Sequence, residues 1–206
     1  MAHFMEMYEA GNACMRAGDF ATANDHYRET WHLYGQARRE AAKAGDVRVF
    51  DAAHTPAWAF WLLMSGVNAR FSMGDYSGCY ETGASVFQLF KGIGLVAGNP
   101  VFHLRMGQSS FELDTPEQRA DIAGPTVDNL ARALICGGIE IYKGEDPKYL
   151  DTVLAVLDPP NGFDSWHDTV NEGCSMDLLN ESHGYLREWV TRKYGAPPPY
   201  PAPTDS

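Results

Sequence analysis

Apolar residues recur along the chain at helical spacing rather than in alternation with polar ones. In the first segment this pattern involves Phe4, Met7, Tyr8 and Met15. Glycine–aspartate pairs at 18–19, 45–46 and 74–75 follow such segments, and they are typical of a helix end and the cap of the next helix. No stretch keeps a period of two for long, so the pattern predicts an all-α protein.

These boundaries divide most of the chain into predicted helices at about residues 3–17, 20–44, 51–73, 76–91, 100–113 and 117–142. Gly124–Pro125 should bend or break the last of them, because proline removes a helical hydrogen bond. C-terminal helices should cover residues 146–193. We therefore predict one α-helical domain over residues 1–194, followed by a proline-rich, disordered tail over residues 195–206.

The opening segment recurs further along the chain. Aligning "MYEAGNACMRAGDFATANDHY" with "LMSGVNARFSMGDYSGCYETG" matches the two Gly-Asp turns and pairs Asn12 with Asn68. A third copy, "HLRMGQSSFELDTPEQRA", places Gly107 and Gln108 at the positions of Gly11 and Asn12. Small residues of this kind let paired helices approach closely, and a turn glycine accepts a left-handed backbone. We predict about three helical hairpins, at about 3–44, 51–92 and 99–143.

This pattern resembles the tetratricopeptide repeat, whose period is about 34 residues. The turns at Gly18, Gly74 and Asp114 are 56 and 40 residues apart, so the helices must be longer than the family norm. The resemblance implies a divergent, irregular array of paired helices with a C-terminal helical extension. In such arrays the first helix of each hairpin lines a concave groove.

A narrower resemblance involves "GNPVFHLRMGQSSFEL" (98–113) and "YKGEDPKYLDTVLAVLDPP" (142–160). The two segments are similar to bacterial tetratricopeptide-type proteins that accompany secreted polymorphic toxins and are taken as their immunity proteins. The resemblance implies a protein that binds and occludes a cognate toxin domain. Two other functions stay open: a secretion chaperone or adaptor that holds a peptide in the groove, and a small-molecule-binding or enzymatic helical protein.

Charge limits the class of partner. The formal net charge is −11, which argues against nucleic-acid binding through a basic surface. Residues 140–188 contain eleven acids and three bases. This is either a solubilising surface or a face that meets a basic toxin domain. The candidate residues for such a face are Asp164, Asp168, Glu172, Asp177 and Glu181.

No motif for catalysis, cofactor binding or metal binding is found. The chain lacks a phosphate-binding loop, a GxSxG nucleophile motif and HExxH spacing, and its polar cluster at 164–177 is typical of a solvated helix face. The four scattered cysteines indicate free thiols in a reducing compartment, so we expect a cytoplasmic protein. No apolar run approaches the ~18–20 residues of a membrane span. We predict a non-enzymatic protein without a cofactor or metal.

The predicted groove provides the candidate residues for partner binding. Aligned side chains put three amides, those of Asn12, Asn68 and Gln108, on its face. An amide both donates and accepts hydrogen bonds, so a row of amides suits a peptide backbone, although the same groups could instead bond neighbouring helices. Tyr8 and Arg16 are the best candidate anchors, because tyrosine and arginine are enriched at binding hot spots.

Overall fold

A computed structural model describes residues 2–90, 96, 98–121, 124–137 and 139–156 of the chain. Within these ranges every regular element is helical and none is a strand, which confirms the all-α class for this part of the chain. The chain divides into two compact units, Met1–Leu95 and Val96–Ser206. None of the helices in the described ranges is long and apolar enough to cross a bilayer.

The first unit contains five helices: α1 (Ala2–Ala17), α2 (Phe20–Ala44), α3 (Val47–Ala53), α4 (Pro56–Ser72) and α5 (Tyr76–Phe90). Helix α1 packs against α2, and α4 packs against both α2 and α5. The bounds predicted for α1, α2 and α5 are confirmed to within one residue.

The predicted helix over residues 51–73 is wrong at its start. Two helices occupy this region, and the chain between them is extended at Thr55, with φ −59° and ψ 156°. Pro56 disfavours a helical conformation in the residue before it, while its own fixed φ suits the first position of a helix. The Thr55 side chain accepts a hydrogen bond from the Trp58 amide and caps α4.

The two Gly-Asp turns have the same geometry. Gly18 and Gly74 have φ of +78° and +75°, a left-handed conformation that glycine adopts at no steric cost. Each following aspartate then accepts a hydrogen bond from an amide three residues on, at 3.2 Å for Asp19 and 3.0 Å for Asp75. Both hairpins of the first unit are thus closed by a left-handed glycine and a capping aspartate.

Aromatic rings fill much of the core of the first unit. Phe4 of α1 is buried, and four rings from other parts of the first unit lie within 6.5 Å of its centroid: Tyr34, Phe50, His54 and Trp58. Phe50 is the buried residue of α3, so this cluster holds the short helix against α1 and α2.

The second unit contains α6 (Pro100–Leu113), α7 (Pro116–Arg119), α8 (Pro125–Gly137), a 3₁₀ helix (Ile139–Tyr142) and α9 (Pro147–Val156). The expected break at Gly124–Pro125 is confirmed, because α8 begins at that proline. Helix α6 packs closely against α8: a Cβ added at Gly107 would lie 2.7 Å from Leu130. The predicted helix over residues 166–193 and the tail over 195–206 lie outside the described residues.

Candidate functional site

Three of the predicted groove residues belong to α1. The Asn12 carboxamide oxygen accepts a 2.9 Å hydrogen bond from the Tyr27 hydroxyl, so this amide bonds a neighbouring helix. The Tyr8 ring is half-buried, 5.8 Å from the Tyr27 ring and 5.9 Å from the Trp58 ring. Arg16 is exposed. Of the three, Arg16 is the one whose residue surface is mostly exposed.

The other two predicted amides lie in different units. Asn68 of α4 is half-buried and has an interaction partner within the structure. Gln108 of α6 is fully buried. Its amide donates to Glu145 at 2.8 Å and accepts from Arg105 at 2.6 Å. These contacts give the Gln108 amide a place inside the second unit rather than on an open surface.

Several candidate residues fall in the last fifty residues of the chain, outside the ranges that the structure describes. They are the five acids of the proposed acidic face: Asp164, Asp168, Glu172, Asp177 and Glu181. In the described ranges no group of three or more metal-ligating side chains occurs. Cys14, Cys79 and Cys136 form no disulfide within those ranges.

Two adjoining clefts in the first unit form an extended concave surface. The larger has a volume of about 710 Å³ and the smaller about 340 Å³. Both are lined by α2, α4 and α5, and Trp31 belongs to both linings. Together they follow α2 from Asn24 to Ala42, a length of about 27 Å at 1.5 Å per residue. We call this surface the α2 groove.

Apolar and aromatic side chains line the larger cleft. The Trp31 and Tyr34 rings are stacked, with 5.5 Å between centroids and 21° between planes. Leu89, at the end of α5, is 59% exposed. An aromatic platform beside an exposed leucine provides apolar surface that a ligand can cover.

Arginine side chains border the same cleft. Arg38 forms a two-point ion pair with Asp51, at 2.7 Å and 2.8 Å, and this contact lowers the pKa of Asp51. The neighbouring Arg39 makes no ion pair within the part of the chain that the structure describes. The charge of Arg38 is therefore compensated, whereas that of Arg39 remains available to a ligand.

Asn24 brings a polar group to the smaller cleft. Only 8% of its surface is exposed, and its carboxamide oxygen makes no hydrogen bond to any described residue. A buried amide oxygen without a partner is unusual, because leaving it unbonded costs about 1–3 kcal/mol. The smaller cleft thus offers a hydrogen-bonding group that a ligand could satisfy.

Neither a family model, nor a curated protein, nor a solved structure matches this chain.

The α2 groove was not predicted, although the sequence contains a signal for it. Asn24, Trp31 and Arg38 follow one another at seven-residue spacing, with Tyr27 and Tyr34 between them. Residues at this spacing share one face of a helix.

Proposed function

We propose that this chain is a protein-binding module built from hairpins like those of tetratricopeptide repeats. The close helix crossing at equivalent glycines supports this arrangement. A Cβ added at Gly11 would lie 2.7 Å from Tyr27, and one added at Gly107 would lie 2.7 Å from Leu130. The two glycines occupy equivalent positions in the sequence repeat, so each would serve to bring the second helix of its hairpin close.

The observation that carries the binding function is the α2 groove. It is open and about 27 Å long, and it contains stacked aromatic rings. Among the described residues its Arg39 has no ion pair and the buried amide oxygen of its Asn24 has no hydrogen-bond partner. Small-molecule sites bury most of a compact ligand in one concave pocket. A long open groove instead has the dimensions of a polypeptide segment, which makes a protein the better candidate partner.

In its most concrete form the proposal is an immunity protein that binds and occludes a cognate bacterial toxin domain. The two segments that resemble such proteins contact each other in the second unit. Arg105 of the first pairs with Glu145 of the second at 3.0 Å, and the Tyr149 hydroxyl donates to Glu112 at 2.8 Å. The sequence motifs that carry the resemblance would then form one packed part of the second unit. Such a packed pair of motifs is what membership of a common family requires.

Inhibition would be steric, with electrostatic steering from the acidic C-terminal region. Asp164, Asp168 and Glu172 are among the residues proposed to meet a basic toxin surface. Such steering raises the association rate and is screened by salt. We expect the affinity for the toxin domain to fall steeply as ionic strength rises. An affinity that does not change between low and high ionic strength would instead favour binding centred on a groove.

A co-expression experiment tests the proposal. The C-terminal domain encoded by a neighbouring reading frame is expressed in a bacterial host, alone and together with this chain. We expect the domain alone to arrest growth, the pair to grow normally, and the two proteins to co-elute as a complex. Continued growth arrest and the absence of a complex, with both proteins present in soluble form, would exclude the immunity function.

The open groove also favours a second candidate, a secretion chaperone or adaptor that holds a peptide. A chaperone should bind an isolated peptide or tail of its client, whereas an inhibitor should require the folded toxin domain. Titrating the chain with the folded domain and with the same domain in denaturant-unfolded, diluted form separates the two. Preferential binding of the unfolded chain would favour the chaperone.

A further inference from the structure

We infer that the α2 groove binds an extended, acidic segment of a partner protein, with an apolar side chain on Trp31 and a carboxylate on Arg39. This inference rests on the proposed protein-binding function and adds the site and the chemistry of the segment. It differs from the acidic face, which would meet basic residues, and from a groove lined by the first helix of each hairpin.

The apolar anchor follows from the larger cleft. Trp31 and Tyr34 present a stacked pair of rings, and Leu89 faces the same cleft from α5. Leu89 is 59% exposed, so a ligand that covers it removes apolar surface from water. An aliphatic or aromatic side chain of the segment would lie between these residues.

The charges of the groove explain why we expect a carboxylate in the bound segment. Its described lining residues include four arginines and two acids: Arg28, Arg38, Arg39, Arg70, Asp51 and Glu81. Arg28 pairs with Asp25, Arg38 with Asp51 and Arg70 with Asp75, which leaves Arg39 without an ion pair among the described residues. In the larger cleft Arg39 is therefore the uncompensated charge among the described Asp, Glu, Lys and Arg lining residues, and a carboxylate of the segment is complementary to it.

The amide oxygen of Asn24 explains why we expect the bound segment to be extended. Its buried carboxamide oxygen requires a donor. The backbone N–H groups inside a helix are already bonded within that helix, whereas those of an extended segment are free to donate. An extended segment can therefore satisfy Asn24 with its main chain while its side chains reach Trp31 and Arg39.

The distance along α2 sets a minimum length for the segment. Asn24 and Arg39 are fifteen residues apart on one helix, which corresponds to about 22 Å. An extended chain advances about 3.3 Å per residue, so about seven residues span the two contacts. This length is typical of short linear segments that dock into a surface groove.

Selection from a random peptide library tests the inference. Phage-displayed peptides about 12 residues long, longer than the ~7 that the groove requires, are selected against the full-length chain. We expect the selected peptides to share an aliphatic or aromatic residue and at least one Asp or Glu. Affinities of the synthesised peptides are then measured for the wild type and for four variants.

Two variants change the groove and two are matched controls outside it. Arg39→Glu and Leu89→Ser should each weaken peptide binding about tenfold or more, since one loses a charge-assisted hydrogen bond and the other an apolar contact. Arg48→Glu and Val49→Ser change an exposed arginine and an exposed aliphatic residue of α3 and should leave affinity within about twofold. All four positions are exposed to solvent, so each variant should fold.

The inference is overturned if no peptide is selected, if the selected peptides lack acids, or if the groove variants bind as well as the wild type. It is also overturned if single-stranded oligothymidylate of similar length binds more tightly than the peptides. A toxin complex that is insensitive to Arg39→Glu and Leu89→Ser would refute the inference but leave the immunity function standing. Groove-dependent peptide binding without toxin neutralisation would support the inference but argue against the immunity function.

Discussion

Arg105 and Glu145 are 40 residues apart in the chain, yet a guanidinium nitrogen of Arg105 lies 3.0 Å from both carboxylate oxygens of Glu145. The same carboxylate accepts a hydrogen bond from the fully buried Gln108. About a fifth of each charged side chain is exposed. The contact ties α6 to the turn between the 3₁₀ helix and α9, so it should stabilise the second unit.

Glu145→Gln should destabilise the second unit by about 1–3 kcal/mol, because it removes the carboxylate charge that lies 3.0 Å from the partly buried Arg105 guanidinium. A urea titration followed by circular dichroism measures the change. Glu140→Gln is the matched control, since Glu140 and Lys143 form an exposed pair at 3.6 Å. That variant should lie within about 0.5 kcal/mol of the wild type. Equal effects at the two positions would contradict a structural role for the Arg105 pair.

Gly107→Ala should destabilise the second unit by about 1–3 kcal/mol or more. The added methyl group would lie 2.7–2.8 Å from the Leu130 side chain and 2.8 Å from its backbone nitrogen, so α6 and α8 would have to separate. Gly66→Ala in α4 is the control, because its nearest neighbour would be the Tyr27 Cβ at 4.0 Å. We expect Gly66→Ala to stabilise the protein by about 0.5–1 kcal/mol. Thermal unfolding of both variants shows whether Gly107→Ala lowers stability and Gly66→Ala raises it.

The helix ends of the first unit could be predicted because their causes are local. Gly18, Gly45 and Gly74 all have positive φ, and each is followed by an aspartate. The separate α3 could not be predicted, because a helix of seven residues spans too few turns for a periodic pattern. Its position depends on Phe50 packing against Phe4, a contact between distant parts of the chain.

Stability should fall as pH rises from about 10 to about 12. Burial raises the pKa of Tyr27 from its ordinary value of 10.0 to about 12. The folded protein therefore holds this proton over a range in which the unfolded chain releases it, and deprotonation favours unfolding. The contribution of Tyr27 is on the order of 2 kcal/mol by pH 12.

Tyr27→Phe tests this contribution. Urea titrations at pH about 9 and about 11 give the loss of stability between the two values. We expect a smaller loss for the variant than for the wild type, because phenylalanine has no proton to release. The variant should be less stable at the lower pH, since the hydroxyl donates to Asn12. Identical losses for the two proteins would show that Tyr27 does not titrate in the predicted range.

The candidate site was less accessible to sequence reasoning than the fold. Gln108 was predicted to face a groove, but its amide bonds Glu145 instead. The two residues are 37 positions apart in the chain, so no local pattern predicts this contact. Asn24 is a matching case. Its position on α2 is evident from helical spacing, but whether its carboxamide oxygen finds a donor among the described residues depends on the placement of α4 and α5 around it. Both properties arise from tertiary packing.

Asn24→Leu should raise stability and lower affinity for the selected peptides. Leucine has a similar volume and removes a buried oxygen that has no partner, so we expect a gain of about 1 kcal/mol in the free energy of unfolding. The same change removes the acceptor that an extended segment would use, which should weaken binding about tenfold. Gains in stability at the cost of binding are typical of functional positions.

Thr30→Val provides the control on the same helix. The Thr30 hydroxyl is also buried, but it already donates to the His26 carbonyl oxygen at 2.7 Å. Its replacement should leave peptide affinity unchanged and should cost, rather than add, up to about 1 kcal/mol. Calorimetric titration and urea unfolding of both variants give the two quantities. If Asn24→Leu destabilises the protein and still binds the peptides as the wild type does, Asn24 is a structural residue and the groove does not use it.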